Sequence, residues 1–276
     1  MPSAQADPPR PAPLRELSPG LCRNLSHFFT DIDDTLTSGG MLPAESYAAL
    51  WRLQKAGVEV VAVTGRPAGW CDHIARMWPV AGVIGENGAF SYSYDHARKR
   101  MKRTLTAGGS APAAREALAI VAARVLREVP GTALAADQAF RVSDFAIDYC
   151  EDVPPLPPAR VDDICRILAE EGVRFKVSSI HVNFWQGEFD KMAGVRLFVA
   201  EETGRGFDTL AEESLFIGDS PNDEPLFAGF RHSIAVANVR RFLGRLDHLP
   251  EYITEAESAD GFCEAAAAIL DGRRVR

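Results

Sequence analysis

Residues 28–37 read FFTDIDDTLT, a short apolar run that breaks into three aspartates within four positions. An apolar stretch ending in acids reads as a buried strand whose polar end marks where the chain leaves the sheet. Crowded carboxylates repel one another and lose hydration. The closeness of Asp31, Asp33 and Asp34 therefore asks for a chemical reason.

Outward from that stretch the chain alternates strand and helix. Residues 44–56 have helical spacing, with Leu50, Leu53 and Ala56 among the apolar positions, and Gly57 closes the run. VEVVAV (58–63) is a β-branched strand, followed by a helix at 68–77 and a strand at 80–84. This βαβαβ rhythm predicts a parallel sheet with helices on both faces. FSYSYD (90–95) and MKRTL (101–105) then read as paired strands, followed by a helix at 111–128, strands within 132–152, a helix at 158–171 and a strand-rich stretch, 173–187. After 190 the parallel pattern resumes, with helix 191–203, strand SLFIG (214–218), helix 222–229, strand SIAVA (233–237) and a closing helix, 258–270. The fold class is α/β: a Rossmann-like parallel-sheet core over 21–88 and 189–276, with an inserted α+β cap domain at 89–188. Residues 1–20, with six prolines and no apolar core, read as a disordered arm.

The chain of 276 residues is 46% apolar and 25% charged, an ordinary globular composition. No apolar run approaches the ~18–20 residues of a membrane-spanning helix. A net charge of −8 argues against a general nucleic-acid binder. The five cysteines are scattered, with no C-x-x-C pair, so reduced structural thiols and a cytoplasmic location are expected, as a monomer or homodimer.

In open parallel sheets reactive residues collect beyond the carboxyl ends of the strands. Four places here carry suitable groups. They are Asp31, Asp33 and Thr35; Thr64, Gly65 and Arg66; Lys191 at a helix start; and GDSPND, with Asp219, Asn222 and Asp223. Carboxylates converging on one point need a cation, and an all-oxygen donor set suits Mg²⁺. Lysine and threonine supply charge and donors for phosphoryl oxygens. One carboxylate in line with phosphorus can act as nucleophile, and a second can serve as general acid and then base.

These four motifs, in order, resemble the haloacid dehalogenase superfamily. Its D-x-D-x-T motif is Asp31-Ile32-Asp33-Asp34-Thr35, its hydroxyl motif is Thr64 in VVAVTGRP, its basic motif is Lys191 in GEFDK, and its acidic motif is Asp219 to Asp223 in IGDSPND. The likeness runs through the core, including GENGA (85–89) and SIAVANV (233–239). An insertion between the hydroxyl and lysine motifs resembles the type IIB cap of Cof-like and sucrose-phosphatase-like sugar phosphatases, a group that also holds phosphomannomutases. The resemblance implies that Asp31 is the nucleophile and a Mg²⁺ ligand, and Asp33 the acid/base, its backbone carbonyl also touching the metal. It implies that Thr64 and Lys191 hold the phosphoryl group, that Asp219 completes the ligands, and that Asp223 and Asn222 order metal-bound water or phosphate from just outside. The implied metal set is thus Asp31, Asp33, Asp219 and Asp223. Asp34 stands where the family most often has glycine; it is expected to point away from the metal and to cap a turn or pair with a base.

Further residues carry two readings each. Arg66 either bridges to the cap or neutralises nearby acid, and Asn87 either faces substrate or caps the GENGA turn. In HVNFW (181–185), His181, Asn183 and Trp185 share one strand face. They either line a sugar site or pack, Trp185 above all, into the cap. HARKRMKR (96–103) is a basic run assigned to the cap, as an anion lure or a solvated hairpin. The expected function is a Mg²⁺-dependent phosphatase of a small phosphate monoester, a sugar or polyol phosphate, acting through an aspartyl-phosphate. The rivals are a hexose phosphomutase and a non-catalytic sugar-phosphate sensor.

Overall fold

The computed structural model describes residues 11–106, 112–178 and 180–274. In chain order its elements are β1 (Ala12–Pro13), α1 (Pro19–Asn24), β2 (His27–Thr30), α2 (Ala44–Lys55), β3 (Glu59–Val63), α3 (Ala68–Met77), β4 (Gly82–Gly85), β5 (Phe90–Asp95) and β6 (Arg100–Leu105). There follow α4 (Pro112–Glu128), β7 (Ala133–Leu134), β8 (Phe145–Asp148), α5 (Pro158–Glu170), β9 (Arg174–Val177) and β10 (His181–Trp185). The last elements are α6 (Lys191–Thr203), β11 (Ser214–Gly218), α7 (Glu224–Gly229), β12 (Ser233–Ala235), β13 (Tyr252–Ile253) and α8 (Ser258–Arg274), with short 3-10 turns between several of them.

Nine strands form one sheet in the order β1-β13-β12-β11-β2-β3-β4-β5-β6. It is parallel from β1 to β4 and antiparallel across β4, β5 and β6. The central strands are apolar at every position because both faces are covered, and alternate residues divide between two cores. Phe28, Val60, Ala62, Leu215 and Ile217 pack with Leu50 and Leu53 of α2 and Phe262 of α8. Phe29, Val61, Val63 and Phe216 pack with Val195 and Phe198 of α6 and Phe227 of α7.

The register of this sheet places the polar residues. Ile217, Thr30, Ala62 and Val83 are neighbours in one row across β11, β2, β3 and β4. Asp31 follows that row by one residue, and Thr64 and Asp219 by two. Three segments far apart in sequence thus deliver their side chains to a single edge.

A second sheet, β7-β8-β10-β9, is antiparallel throughout and has its own core against α4 and α5, built on Leu118, Val125, Ile147, Ile164, Leu168 and Phe184. The expected α+β insertion therefore exists, but its start lies later than residue 89. The β5–β6 hairpin extends the first sheet and not the second. The reason is local: after β4 the chain reverses tightly enough for β5 to pair antiparallel with the strand it has just left.

The expected arm also differs. Residues 1–10 lie outside the described residues, whereas 11–20 are built into the fold. Ala12 and Pro13 pair with Tyr252 and Ile253 at the sheet edge, and Leu14 and Leu17 are buried in the main core. Proline is tolerated on such an edge, and Pro13 sits there while Pro19 opens α1.

The reversal after β4 is made by GENGA. Glu86, Asn87 and Gly88 take successive positive φ values of 43°, 56° and 101°. A Cβ on Gly88 would overlap the carbonyl of Asp190, the residue that caps α6 through its side chain to Ala193 N at 2.8 Å. Gly88 thus lets the turn touch the start of the helix that carries Lys191. The Gly88→Ala variant is expected to lose about 2–4 kcal/mol of stability, from both the positive φ and the overlap. Urea unfolding measures this; a loss below about 0.5 kcal/mol would mean the contact is not constraining.

Candidate active site

Lys191, the first residue of α6, is buried, and its Nζ donates to Asp31 Oδ1 at 2.8 Å and Asp223 Oδ1 at 2.7 Å. The other oxygen of Asp223 accepts the backbone N–H of Asp219 at 3.0 Å. This approach needs Gly218, where a Cβ would overlap the Asp223 carboxylate. Asp31, Asp219 and Asp223 are all buried, and each offers an oxygen within 4.8 Å of the others.

The electrostatics of this cluster are unbalanced, with three carboxylates against one ammonium. Burial, reinforced by Asp223 and Asp33, lifts the Asp31 carboxyl to about 8 despite Lys191. Burial, then Asp223 and Asp31, push Asp219 well above the carboxylate range. Burial alone would strip the proton from Lys191, but Asp223 and Asp31 outweigh it and hold the ammonium charged. A buried all-oxygen donor set with uncompensated negative charge fits a small hard divalent cation such as Mg²⁺.

Asp33 is not part of that cluster. Its carboxylate takes the fork of Arg66, with Nη2 at 2.8 Å and Nε at 3.1 Å from each oxygen. The far side of the same guanidinium donates to Glu151, just beyond β8, at 3.1 Å. Both readings of Arg66 therefore hold: it neutralises an acid and ties the two sheets together. His181 Nε2 lies 2.9 Å from Glu151 Oε2, near enough for charge attraction but without hydrogen-bond alignment. His181 and then Arg66 outweigh burial and hold the Glu151 carboxyl down to about 2.

The remaining expected residues surround this pair of clusters. Thr64 is buried, and its hydroxyl accepts the backbone N–H of Arg66 at 3.0 Å, fixing the turn after β3. Gly65 and Asn222 line the cavity between the sheets, Asn222 accepting the Ser220 hydroxyl at 2.8 Å. Asn87 is buried beside Gly65 and leaves its side-chain Nδ2 without a partner, a donor facing the turn after Thr64. His181 and Asn183 also line the cavity, and Asn183 donates to Asp144 at 2.9 Å. Trp185 does not join them. It packs in the main core against Phe189 and donates to that residue's carbonyl at 3.2 Å.

Two further expectations change. Asp34 has φ 55°, the left-handed conformation in which glycine is easiest, which accounts for its unusual place in the motif. It was expected to cap a turn or pair with a base. Instead its backbone N–H takes Thr37 Oγ1 at 3.1 Å, and no carboxylate partner is recorded among the described residues. The basic run 96–103 sits on the β5–β6 hairpin of the first sheet, where Arg98, Lys102 and Arg103 pair with Asp95, Glu201, Glu202 and Asp72. It is a balanced surface hairpin and not part of the insertion.

Sequence reasoning missed Glu86 and Arg141. Glu86 is wholly buried and accepts the backbone N–H groups of Ala68, Val142, Ser143 and Asp144 at 2.6–3.1 Å, fastening the segment before β8 to the first sheet. Burial and then Asp144 raise its carboxyl to about 7 against the pull of those donors. Arg141 reaches back to the Gly65 carbonyl at 3.0 Å while held by Asp137 and Asp144. The only available signals were the acid in GENGA and the i, i+3 spacing of Arg141 and Asp144, and neither names its distant partner. The cavity enclosed by Asp31, Asp33, Arg66, Arg141, His181 and Asp219 is about 20 Å³, room for one or two waters.

Residues 28–107 match the haloacid dehalogenase-like hydrolase family. No curated protein sequence matches the chain. Among solved structures, a Thermoplasma acidophilum protein is similar with TM-score 0.66 and 17% identity, covering 89% of this chain and 98% of its own. The sucrose-phosphatase of Synechocystis sp., solved with sucrose and phosphate, is similar with TM-score 0.61 and 16% identity, covering 90% of this chain and 98% of its own. A subclass IIB sugar phosphatase is similar with TM-score 0.59 and 14% identity over 88% and 98% of the two chains. The family match over residues 28–107 takes in the first two motifs, Asp31 to Thr35 and Thr64, whereas Lys191 and Asp219 lie outside it; about nine-tenths of the chain shares the fold of those solved structures.

Proposed function

We propose that the protein is a Mg²⁺-dependent phosphatase of small phosphate monoesters, sugar or polyol phosphates, working through an aspartyl-phosphate on Asp31. The reading includes a cytoplasmic setting, where its five thiols stay reduced. The observation that carries it is the separation of two carboxylates two residues apart. Asp31 is gripped by Lys191 within the acidic cluster, while Asp33 is held outside it by Arg66. One is placed for attack and the other for proton transfer.

In the first step a free Asp31 oxygen attacks phosphorus in line, the bond to the ester oxygen breaks, and Asp33, which has to leave the Arg66 fork and take up a proton beforehand, gives that proton to the departing oxygen. Lys191 holds the other Asp31 oxygen and supplies positive charge to the phosphoryl group, and Thr64, Gly65 and Asn222 frame it. In the second step Asp33 takes a proton from water as the water oxygen attacks phosphorus, and Asp31 is released. Mg²⁺, when held by Asp31 and Asp219 with Asp223 behind them, supplies the charge that lets anionic phosphate enter an acidic site. The second sheet with α4 and α5 serves as the cap, excluding bulk water from the first step. Hydrolysis is favoured over phosphomutase chemistry because the two guanidiniums lining the cavity, Arg66 and Arg141, are already paired with Asp33, Glu151, Asp137 and Asp144. Within the cavity itself, then, a second phosphate meets no unpaired arginine among the described residues; Arg245 is in the larger adjoining cleft. Sucrose and phosphate bound to the Synechocystis sucrose-phosphatase support the sugar class.

The Asp31→Asn variant is expected to lose p-nitrophenyl phosphate turnover by about four orders of magnitude or more. Because burial already disfavours charge at this position, its melting temperature should equal or exceed that of the wild type. Retained turnover would refute the assignment. With a hexose 1-phosphate, released inorganic phosphate is expected, and accumulation of the 6-phosphate isomer would favour the mutase.

A thermal prediction follows from the raised Asp31 carboxyl. The folded protein binds that proton more tightly than the unfolded chain, so this stabilising contribution is lost as pH rises through about 8. Without divalent cation the melting temperature should fall between pH 6 and pH 8.5 (values on the order of the Asp31 shift). Mg²⁺ at about 100 times its Kd should raise it by about 5 °C, more at the higher pH because cation and proton compete. A larger gain at the lower pH would contradict the cluster's role.

A further inference from the structure

The cavity of about 20 Å³ between the sheets cannot hold a sugar, so the alcohol part of any ester must lie in a neighbouring cleft. Two clefts adjoin it. One, of about 280 Å³, opens on the Asp33 side and is lined by Asp33, Asp34, Arg66, Cys150, Glu151 and Ile180 among others. The other, of about 690 Å³, opens on the Asp219 side and contains Arg241 and Arg245 beside Tyr149, Val161 and Phe242. Size alone favours the second.

Proton chemistry favours the first. As the phosphorus–oxygen bond breaks, the departing oxygen must take the proton that Asp33 carries, so it has to lie on the Asp33 side. Resting on the phosphatase reading above, we infer that the smaller cleft is the leaving-group subsite and that Glu151 makes it selective for a neutral, single-ring sugar or a polyol of similar size.

The chemistry of the lining supports this selectivity. Three carboxylates, Asp33, Asp34 and Glu151, face one guanidinium, and Arg66 is already paired with two of them. Such a surface accepts hydrogen bonds from hydroxyl groups and repels a second phosphate or a carboxylate. Glu151 is fixed in place by the Arg66 hydrogen bond at 3.1 Å, with His181 Nε2 2.9 Å from its other oxygen. The backbone N–H of Glu151 donates to Asp148 at 2.8 Å, anchoring the loop after β8 from which it projects. A volume of about 280 Å³ lies just under the ~300 Å³ lower bound for drug-sized ligands, enough for one ring but not two. The larger cleft is mixed: it holds Asp34, Asp162 and Asp219, and of its two arginines Arg241 pairs with Glu257, which leaves Arg245 as the guanidinium without a carboxylate partner among the described residues and open to an anionic group.

The two clefts therefore predict opposite substrate rankings. The test compares kcat/KM of the wild-type enzyme with Mg²⁺ on hexose and polyol monophosphates, a hexose bisphosphate, a nucleoside monophosphate and a disaccharide phosphate. The single-ring and polyol monophosphates are expected to lead each of the others by about tenfold or more. Glu151→Gln should raise KM for the monophosphates about tenfold with a smaller change in kcat, and should narrow their lead over the bisphosphate. A lead for the bisphosphate, nucleotide or disaccharide phosphate, or an unchanged ratio in Glu151→Gln, would overturn the subsite. The wild-type ranking stands as a test even if that variant fails to fold. Turnover of p-nitrophenyl phosphate, abolished in Asp31→Asn, separates the two levels. If it is absent from the wild type, the phosphatase reading fails and the subsite with it; if it is present with a reversed ranking, only the subsite fails.

Discussion

The buried ammonium of Lys191, bonded to Asp31 and Asp223 at the carboxyl edge of the sheet, is the contact on which the rest of the site depends. It joins the chain just beyond β2, the chain just beyond β11 and the helix α6 between them. Three carboxylates without it would leave several buried negative charges unopposed, a cost of several kcal/mol for each. With it, the cluster still holds more acid than one ammonium balances, an excess that the raised Asp31 and Asp219 carboxyls relieve by holding protons and that the proposed divalent cation would offset instead. Much of the fold positions that contact. The parallel register aligns Asp31 with Asp219, Gly218 admits the Asp223 carboxylate, and Gly88 brings the turn after β4 against the start of α6.

A second contact of similar kind joins the two sheets. Arg66 lies between Asp33 and Glu151, so Asp33 and the insertion share one guanidinium. Glu86 adds a tie of another sort, a carboxylate taken up by backbone N–H groups from both sides of the junction. These ties link the reacting edge to the surface that covers it. A change at Glu151 in the insertion can therefore reach Asp33 through Arg66 without touching the cluster around Lys191.

How much of this was legible in the sequence follows from how local each signal is. Asp31, Asp33, Thr64 and Asp219 were readable because each closes an apolar strand, and strand ends in a parallel sheet converge without long-range information. Lys191 was readable from its place at a helix start in GEFDK. Glu86, Arg141 and Glu151 were not assigned these contacts, because their partners lie on the other sheet and nothing in the chain marks the pairing. The β5–β6 hairpin was assigned to the insertion because an antiparallel strand looks the same locally whichever sheet it joins. Residues 11–20 were read as loose from their prolines, although Leu14 and Leu17 bury into the main core. The pattern of HVNFW placed three side chains on one face, but one strand face can serve two environments. Its first two residues reach the cavity, while Trp185 falls past the edge of the insertion into the main core.

The division of labour between Asp31 and Asp33 is the claim from which the catalytic account follows. Rapid acid quench during the first turnover of a phosphate monoester, followed by mass spectrometry of the digested protein, tests it most directly. The account predicts a phosphoryl group on the peptide containing Asp31, carried by Asp31 itself and formed before inorganic phosphate is released. Phosphate released in that turnover with no adduct at any time, or an adduct on a different residue, would contradict it.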